Sequence, residues 1–589
     1  MASIKELELM ANKLRIHSLE ATTEAGSGHA SSSLSSSEIM SCFFFSVIQQ
    51  NDEFILSKGH AAPVLWAAFA EAGLLPRKEL KNLRKIDSLL EGHPTARMPL
   101  IKVATGSLGQ GLSAGVGMAL AKKLSEQEGK IFVLLGDGEC AEGSVWEAAN
   151  AAAFYHLDNI VSVVDVNRLG QSDQTMAGHN LESYKKKFEA FGWQTAITDG
   201  HNVREILSAL KKSEKSPKPF VVIAKTFKGK GVSILENNEG WHGKPLKKED
   251  LPGTLKEIGP AEVELASNFK NLKRPSPKFH EFKLDNYKLG DMISTREAYG
   301  RALVNLGKAN PDVVVLDGDV KNSTMTEYFF EKFPKRSFQC FIAEQNMVGM
   351  AVGFSAMGMS PFVATFSCFL TRAHDFIRMA QYSFANIKFA GSHSGVSIGQ
   401  DGPSQMGLED IPMFLNIPRA LVLYPSDAVS SEYLVKESAK FKGISYLRTT
   451  REKTKVLYKN GEKFPVGKFK VWGKGKNDRA LIVASGITLH EALKAQKTLK
   501  DKNIPVRVID LYSLQPVDKD ALIKEAKDCQ NNVIVVEDHY CSATGSIVAS
   551  ALGKVKQLCI KEMPRSGKPE ELLKKYGIDS DAIVKAVIK

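Results

Sequence analysis

The sequence predicts an α/β protein of three domains, each built on a mainly parallel sheet flanked by helices. Three observations predict it. The chain has 589 residues, which at roughly 150 per domain gives about three to four domains. Short β-branched or aliphatic runs alternate with helical stretches in three successive blocks, the pattern of strands joined by crossover helices. Two stretches where that pattern fades separate the blocks.

The first block opens with an amphipathic helix near Ile4–Thr22, where Leu7, Met10, Leu14 and Ile16 recur at helical intervals. Ser35 and Glu38 have capping-box spacing ahead of the apolar run Ile39–Ile48, so a buried helix start is expected there. Strands are expected at Ile131–Leu135, Ile160–Val166 and Phe220–Ala224. From about Leu246 to Lys288, Lys and Pro recur and no strand is evident, which reads as a connector. The second block begins at Ser294, with strands near Val313–Leu316, Phe362–Phe366 and Ile387–Ala390. A polar, Gly- and Lys-rich stretch runs from Lys459 to Arg479. The last block has strands at Ala480–Ala484, Val506–Ile509 and Val533–Val536. The expected boundaries are 1–265 for the first domain, 266–291 for the linker, 292–460 for the second domain and 461–589 for the third.

Apolar residues make up 43% and charged residues 24%, which argues against a disordered chain. No uninterrupted apolar stretch approaches the roughly 18 residues of a membrane helix; Met40–Ile48 is far shorter and contains Ser41 and Ser46. The first twenty residues mix both charge signs, unlike a signal peptide. Seven scattered cysteines without a CxxC indicate neither a disulfide framework nor a zinc cluster, and a reducing compartment is the simpler reading. The C-terminal AIVKAVIK has no peroxisomal tripeptide, so a cytoplasmic location is expected. The formal charge of +12 comes from dispersed basic residues. It suits anionic metabolites better than nucleic acid, and no nucleic-acid or membrane partner is expected.

The strongest chemical signal is Gly136-Asp137-Gly138-Glu139 at the end of the run IFVLL, with Asn167 ending a second strand thirty positions after Asp137. Ligands bind at the carboxyl ends of neighbouring parallel strands. There Asp137 and the Asn167 amide oxygen could face one hard cation, such as Mg²⁺ sharing phosphate oxygens. Glycine lets backbone approach a phosphate without a Cβ clash. This arrangement resembles the thiamine diphosphate binding motif; the bland alternative is an ordinary turn. The run Ala104–Leu120 is not a GxGxxG after a strand. It reads either as a Gly/Ala-rich helix packed closely beneath a cofactor or as close helix packing alone.

GSGH (26–29), LSKGHAAP (56–63), GHP (92–94), ATGSLGQG (104–111), GDGECAEGSVWEA (136–148), DVNRLGQS (165–172), KTFKGKG (225–231) and GWHGKP (240–245) together resemble the transketolases of the animal-type branch. The resemblance continues through STREAYG (294–300), DGDVKNST (317–324), AEQNMVGMAVG (343–353), GSHSGVSIGQDGPSQM (391–406) and VEDHY (536–540). It implies two thiamine-diphosphate-binding-fold domains plus a C-terminal α/β domain. It also implies thiamine diphosphate with Mg²⁺, or Ca²⁺ or Mn²⁺ in its place, and a homodimer with active sites at the subunit interface. The implied reaction moves a two-carbon ketol unit from xylulose 5-phosphate to ribose 5-phosphate or erythrose 4-phosphate, in the pentose phosphate pathway. Asp137, Asn167 and the Leu169 carbonyl are the implied metal ligands. Ser32, His60, Gly106, Ser107, Leu108, Gly138, Asn167, Lys228, His242, Phe369 and Gln405 are the implied cofactor contacts, with Phe366 a weaker candidate for the pyrimidine stack.

Glu344 matches the acid that shares a proton with the cofactor's pyrimidine, and Met347 and Val348 would disfavour its charged form. His29, His60, His93 and His242 match the histidines of the substrate channel, where imidazoles hydrogen-bond hydroxyls and move protons. Asp401 matches a reader of a substrate hydroxyl. Arg296, Ser323, His393 and Arg451 match the site for the terminal phosphate, with Arg448 the alternative to Arg451. The chain departs from the family at Ala30, where a proline is expected, in the short connection QQNDE, and in CSATGS after VEDHY. These departures bear on channel shape and acceptor preference. The remaining rivals are a different thiamine diphosphate enzyme, such as a deoxyxylulose phosphate synthase or dihydroxyacetone synthase, and a relative retained only for binding.

Overall fold

A computed structural model describes residues 2–270 and 274–589. The chain forms two compact units. The first takes the chain through Pro275 together with Val348–Gly358 and Tyr382–Phe384; the second takes the remainder.

The first unit holds a five-stranded parallel sheet: β1 (Glu53–Leu56), β2 (Ile131–Gly136), β3 (Ile160–Val166), β4 (Gln194–Asp199) and β5 (Phe220–Lys225), in the order β1-β2-β3-β5-β4. β2 and β3 are buried along their whole length, as continuous apolar strands covered on both faces must be. Gly136 pairs with Asp165, so the loops leaving β2 and β3 start side by side. β1 and β4 were not expected from sequence. β1 has four residues and begins with a glutamate, and four of the six residues of β4 are polar, with Gln194 and Asp199 exposed at its two ends.

The helix Ile4–Ala25 is closed by a true capping box between Ser3 and Glu6 and ends at Gly26 with φ 58°. The box expected at Ser35 and Glu38 does not form. The helix Ser37–Cys42 starts without a side-chain cap, although it is buried as expected. Ser35 Oγ instead donates to Asp165 Oδ2 at 2.6 Å, and Glu38 pairs with Arg15 and with His201 at 3.1 Å. Buried charges claim these groups because an unpaired charge in the interior costs more than a missing cap.

The Gly111–Leu124 helix crosses the Val348–Gly358 segment backbone to backbone. A Cβ on Gly117 would lie 2.0 Å from the Met350 carbonyl, and one on Gly353 would lie 2.1 Å from that of Ala114. The small residues of Ala104–Leu120 thus serve close helix packing. The connector also needs correction, since it contains the helix Leu251–Ile258. Leu251, Leu255 and Ile258 fall on one helical face and pack with Leu19, Leu34 and Val232. Pro252 obscures this in the sequence, yet proline is well tolerated in a first turn.

The second unit contains three sheets. The largest comprises β7 (Val313–Asp317), β8 (Ser337–Gln339), β9 (Ser360–Phe366), β10 (Lys388–Ser392), β11 (Leu421–Leu423), β12 (Ser445–Arg448) and β17 (Ser513–Gln515). Their order is β17-β11-β12-β10-β9-β7-β8, parallel except for β17. β6 (Met292–Ser294) and β13 (Lys453–Lys455) form a small antiparallel pair. The last sheet has β14 (Lys470–Trp472), β15 (Leu481–Ala484), β16 (Arg507–Asp510), β18 (Val533–Tyr540) and β19 (Lys556–Ile560), in the order β14-β16-β15-β18-β19. β17 therefore carries the last block into the middle sheet.

Contrary to the sequence reading, Cys541 and Cys559 are disulfide-bonded, with Cα atoms 5.4 Å apart. The register sets Tyr540 opposite Ile560, which brings the two cysteines together at the end of β18. Five cysteines are free. Among the described residues, no helix is long and apolar enough to cross a membrane.

Candidate active site

Asp137 leaves β2 and Asn167 leaves the neighbouring β3, and both side chains are buried. Asp137 Oδ1 accepts from the Gly138 N–H at 2.9 Å, and Oδ2 from the Arg168 N–H at 2.7 Å and Thr175 Oγ1 at 3.1 Å. Asn167 Oδ1 accepts from the Leu169 N–H at 3.2 Å. The Leu169 carbonyl accepts from Lys228 Nζ at 2.8 Å, and that ammonium also reaches the Gly170 carbonyl at 3.0 Å and His242 Nδ1 at 2.6 Å. Burial and the nearby Asp165 carboxylate push Asp137 up to about 6. A buried carboxylate raised in this way is one that a cation would stabilise. With one amide and one backbone carbonyl it makes an all-oxygen donor set, which fits Mg²⁺ or Ca²⁺ and not a softer metal. Among the described residues, no group of three His, Cys, Asp or Glu side chains could hold a metal, so a metal here would depend on that mixed set.

The surroundings fit a pyrophosphate as well. Ser32 Oγ is buried without a hydrogen-bond partner. Gly106 has φ 122°, and a Cβ on it would lie 2.8 Å from His93. Only glycine lets the loop that continues through Ser107 and Leu108 lie so close to that imidazole. Gly138 follows Asp137 directly in a short 3₁₀ turn.

Four imidazoles converge in the same unit. His29 has ring centroids 5.4 Å from His60, 5.7 Å from His93 and 5.0 Å from His242, and His60 lies 5.0 Å from His242. Burial, and then the positive charge of its neighbours, pushes His29 down to about 3 and His242 to about 4. His60 is driven well below its ordinary value, and His93 is lowered by burial and Arg84. All four rings are therefore neutral at pH 7, ready to donate and accept hydrogen bonds.

The second unit collects the remaining candidates. Glu344 is buried at the start of the helix Glu344–Ala356. The apolar enclosure expected around it is incomplete, because Arg372 Nε lies 3.3 Å from its Oε2. The sequence hid this contact because Arg372 belongs to a separate turn, Phe369–Ala373. Phe366, at the end of β9, stacks on Phe369 at 5.2 Å and on His393 at 3.8 Å. Gln405 is half-buried in the turn Pro403–Gln405. Arg296 Nη1 donates to the Ser323 carbonyl at 2.7 Å, while its buried Nε has no partner. Burial and the charge of Arg451 push Arg296 down, and burial with both arginines pushes His393 to about 3. Arg451 pairs with Asp401 at 3.0 Å and is partly exposed. Arg448, by contrast, is fully buried and tied to Asp410 at 2.8 Å and to the carbonyls of Gly407 and Asp538.

Three domain descriptions match the chain in order. "Transketolase, thiamine diphosphate binding domain" matches residues 7–269, "Transketolase, pyrimidine binding domain" 291–456 and "Transketolase, C-terminal domain" 469–583. The human transketolase is 46% identical over 99% of this chain and 97% of that protein. The chain belongs to the transketolase family. It is thus a transferase with a thiamine diphosphate-binding domain. Transketolase-like protein 2 of mouse is 47% identical over the same shares of the two chains. The transketolase structure from Campylobacter jejuni superposes with a TM-score of 0.89 over 100% of both chains at 24% identity, which shows the fold.

Within this transketolase, some residues that shape the site lay inside the quoted motifs without being singled out. Lys58 and Asp165 form a fully buried ion pair, joined by Ser35 and Thr226; Lys58 Nζ also donates to the Ser32 carbonyl at 3.1 Å. Glu139 accepts from the Gly109 N–H at 2.8 Å, the Gly136 N–H at 3.1 Å and Ser57 Oγ at 2.5 Å, binding the glycine-rich loop to the end of β2. A buried charged residue inside LSKGH, GDGE or DVN was the available signal. Thr175, Arg84 and Arg372 had none.

Proposed function

We propose that this transketolase carries a two-carbon ketol unit reversibly from a ketose phosphate, xylulose 5-phosphate, to ribose 5-phosphate or erythrose 4-phosphate. It does so with thiamine diphosphate and Mg²⁺, or Ca²⁺ or Mn²⁺ in its place. The assembly is a homodimer with active sites at the subunit interface, acting in the cytoplasm in the pentose phosphate pathway. The domains run 1–265, 292–460 and 461–589, with 266–291 as linker. When bound, thiamine diphosphate supplies a stabilised carbanion at its thiazolium ring.

Asp137, Asn167 and the Leu169 carbonyl would hold the metal. Ser32, His60, Gly106, Ser107, Leu108, Gly138, Lys228 and His242 would hold the cofactor, and Phe369 and Gln405 its pyrimidine. Glu344 would be the acid that moves a proton to or from the pyrimidine ring nitrogen of the bound cofactor. His29, His60, His93 and His242 are neutral, so they can donate to the substrate's oxygens as charge develops on them. Asp401 accepts from a substrate hydroxyl. Arg296, Ser323, His393 and Arg451 receive the terminal phosphate, and Arg451 exchanges a carboxylate for it.

One observation carries the sugar-phosphate reading. Two guanidinium groups and His393 crowd together closely enough to depress Arg296 and His393, and Arg296 keeps a buried N–H without a partner. A dianion would relieve that repulsion and satisfy that donor. The test is an assay of full-length protein with thiamine diphosphate, Mg²⁺, xylulose 5-phosphate and ribose 5-phosphate. Sedoheptulose 7-phosphate and glyceraldehyde 3-phosphate should appear in equal amounts. Saturable cofactor binding without either product would defeat the reading.

A further inference from the structure

Arg84 carries no role in the sequence reading, yet it is the cation set against the central histidine of the cluster. Its Nη2 stands 3.4 Å from His29 Nδ1, and its Nη1 lies 2.5 Å from Ser27 Oγ. The guanidinium is held from below by the backbone, since a Cβ on Gly92 would lie 2.7 Å from Nε and 2.9 Å from Cζ. Arg84 itself has φ 60°, a left-handed conformation uncommon outside glycine. Its N–H closes the loop by donating to the Leu90 carbonyl at 2.8 Å. Strain of this kind persists only where the surrounding structure enforces it.

A guanidinium has only donors and stays protonated. The nitrogen it approaches must therefore accept, which leaves a neutral His29 with its proton on Nε2. Nε2 faces Gly243, where even an added Cβ would stay 3.6 Å away. Geometry thus leaves the Nε2–H side of the ring free of side-chain crowding from that residue.

We propose that Arg84 is a positioning residue for His29, fixing it as the neutral Nε2–H tautomer so that His29 serves the reaction as a hydrogen-bond donor to a substrate oxygen and not as a base. The catalytic half of this proposal rests on His29 lining the substrate channel; the tautomer half rests on the geometry alone. The groups facing His29 are His60, His93, His242, Lys228 and Arg84. The cationic ones, Arg84 and Lys228, oppose a second proton on the ring, as does burial.

The test uses the full-length protein labelled with ¹⁵N-histidine, without cofactor or substrate. Two-bond ¹⁵N–¹H correlations report which ring nitrogen carries the proton, and His29→Gln assigns the His29 signal. The wild type should show Nε2–H at pH 7.5. Arg84→Met should give a mixed Nδ1–H and Nε2–H population, and Arg84→Lys should keep most of the Nε2–H form. In turnover, Arg84→Met should lower kcat by about ten- to a hundredfold with a smaller change in KM, and Arg84→Lys should recover part of it. The acid limb of kcat/KM should move to higher pH in Arg84→Met, because one opposing charge is gone. A wild-type Nδ1–H signal, or an unchanged His29 spectrum in Arg84→Met, would overturn the tautomer assignment. A changed spectrum with undiminished turnover in both Arg84→Met and His29→Gln would overturn the catalytic role. That result would point to the channel reading as the fault.

Discussion

The polar clusters of the two units hold their groups in opposite ways. Around Asp137 and the histidines, burial keeps the groups near neutrality. Asp137 is raised and every imidazole in the cluster is lowered; Asp137 answers to backbone N–H groups and a threonine, and the imidazoles to one another and to the cations Lys228 and Arg84. Around Glu344 and Arg451 the groups are matched as ion pairs, Arg372 with Glu344 and Arg451 with Asp401. The first arrangement is built in advance and needs only a ligand to complete it. The second presents charges that a ligand must take over from a protein partner. A carboxylate answering an arginine marks where a phosphate or a proton exchange can enter.

The sharpest break in this comparison comes from removing one carboxyl from each cluster. Glu344→Ala should lower kcat by roughly 10²–10⁴, the usual contribution of a positioned acid or base. Calorimetry should still find thiamine diphosphate bound within about tenfold of wild type, since the role proposed for Glu344 is proton exchange and not anchoring of the pyrophosphate. Asp137→Ala should do the reverse at the first step. It should abolish the Mg²⁺-dependent part of cofactor binding, with activity lost because the enzyme is empty. Normal turnover by Glu344→Ala, or wild-type cofactor affinity in Asp137→Ala, would show that the two clusters do not divide the work in this way.

The parts of the first cluster that sequence could reach were those in which chemistry and local geometry coincide. Asp137 and Asn167 each end a buried apolar strand, so the strand pattern placed them before any coordinates did. What sequence could not reach was set by tertiary pairing. Ser35 and Glu38 have the spacing of a cap but answer to Asp165, Arg15 and His201. Cys541 meets Cys559 only through the register of β18 on β19. Arg84 and His29 are 55 residues apart in sequence, and neither Arg84 nor the loop it closes matches a motif with a chemical meaning. The short β1 and the polar β4 lack the apolar run by which their longer neighbours announce themselves. In the second cluster, three positions separate Arg448 from Arg451, and sequence alone left both as candidates. Burial separates them, since Arg448 is locked to Asp410 and two carbonyls while Arg451 stays at the surface.

That separation supplies the intermediate test. Arg451→Leu should raise KM for xylulose 5-phosphate by about ten- to a hundredfold, the loss of one or two charge-assisted hydrogen bonds at about 1.5–3 kcal/mol in all. KM for a non-phosphorylated ketose should barely move. Asp401→Asn should weaken discrimination among substrate hydroxyls while leaving Arg451 free for phosphate. Steady-state kinetics with both ketoses would check the pair. An equal rise in KM for both ketoses in Arg451→Leu would remove Arg451 from the phosphate site.

The smallest effect concerns stability and returns to the histidines. His60 is partly buried, and burial together with Lys58 drives it well below its ordinary value. The sign follows from proton counts. Below about 6.5 the unfolded chain binds a proton at this histidine that the folded chain refuses, so His60 subtracts stability as pH falls. The slope approaches about 1.4 kcal/mol per pH unit once the unfolded histidine is fully charged. Buried carboxyls with raised values act in the opposite direction over the same range; Asp137 and Asp317 lie at about 6, and Asp510 at about 7. The total pH profile is therefore no guide, and the informative quantity is a difference. Urea unfolding of the cofactor-free wild type and of His60→Gln should converge as pH is lowered from 7.5 to 5.5. The variant should gain on the wild type by about 1 kcal/mol. A gap that stays constant with pH would mean that His60 takes up its proton in the folded state as readily as in the unfolded one. The picture of a histidine cluster held neutral by burial would then fail at His60, a member that burial drives well below its ordinary value.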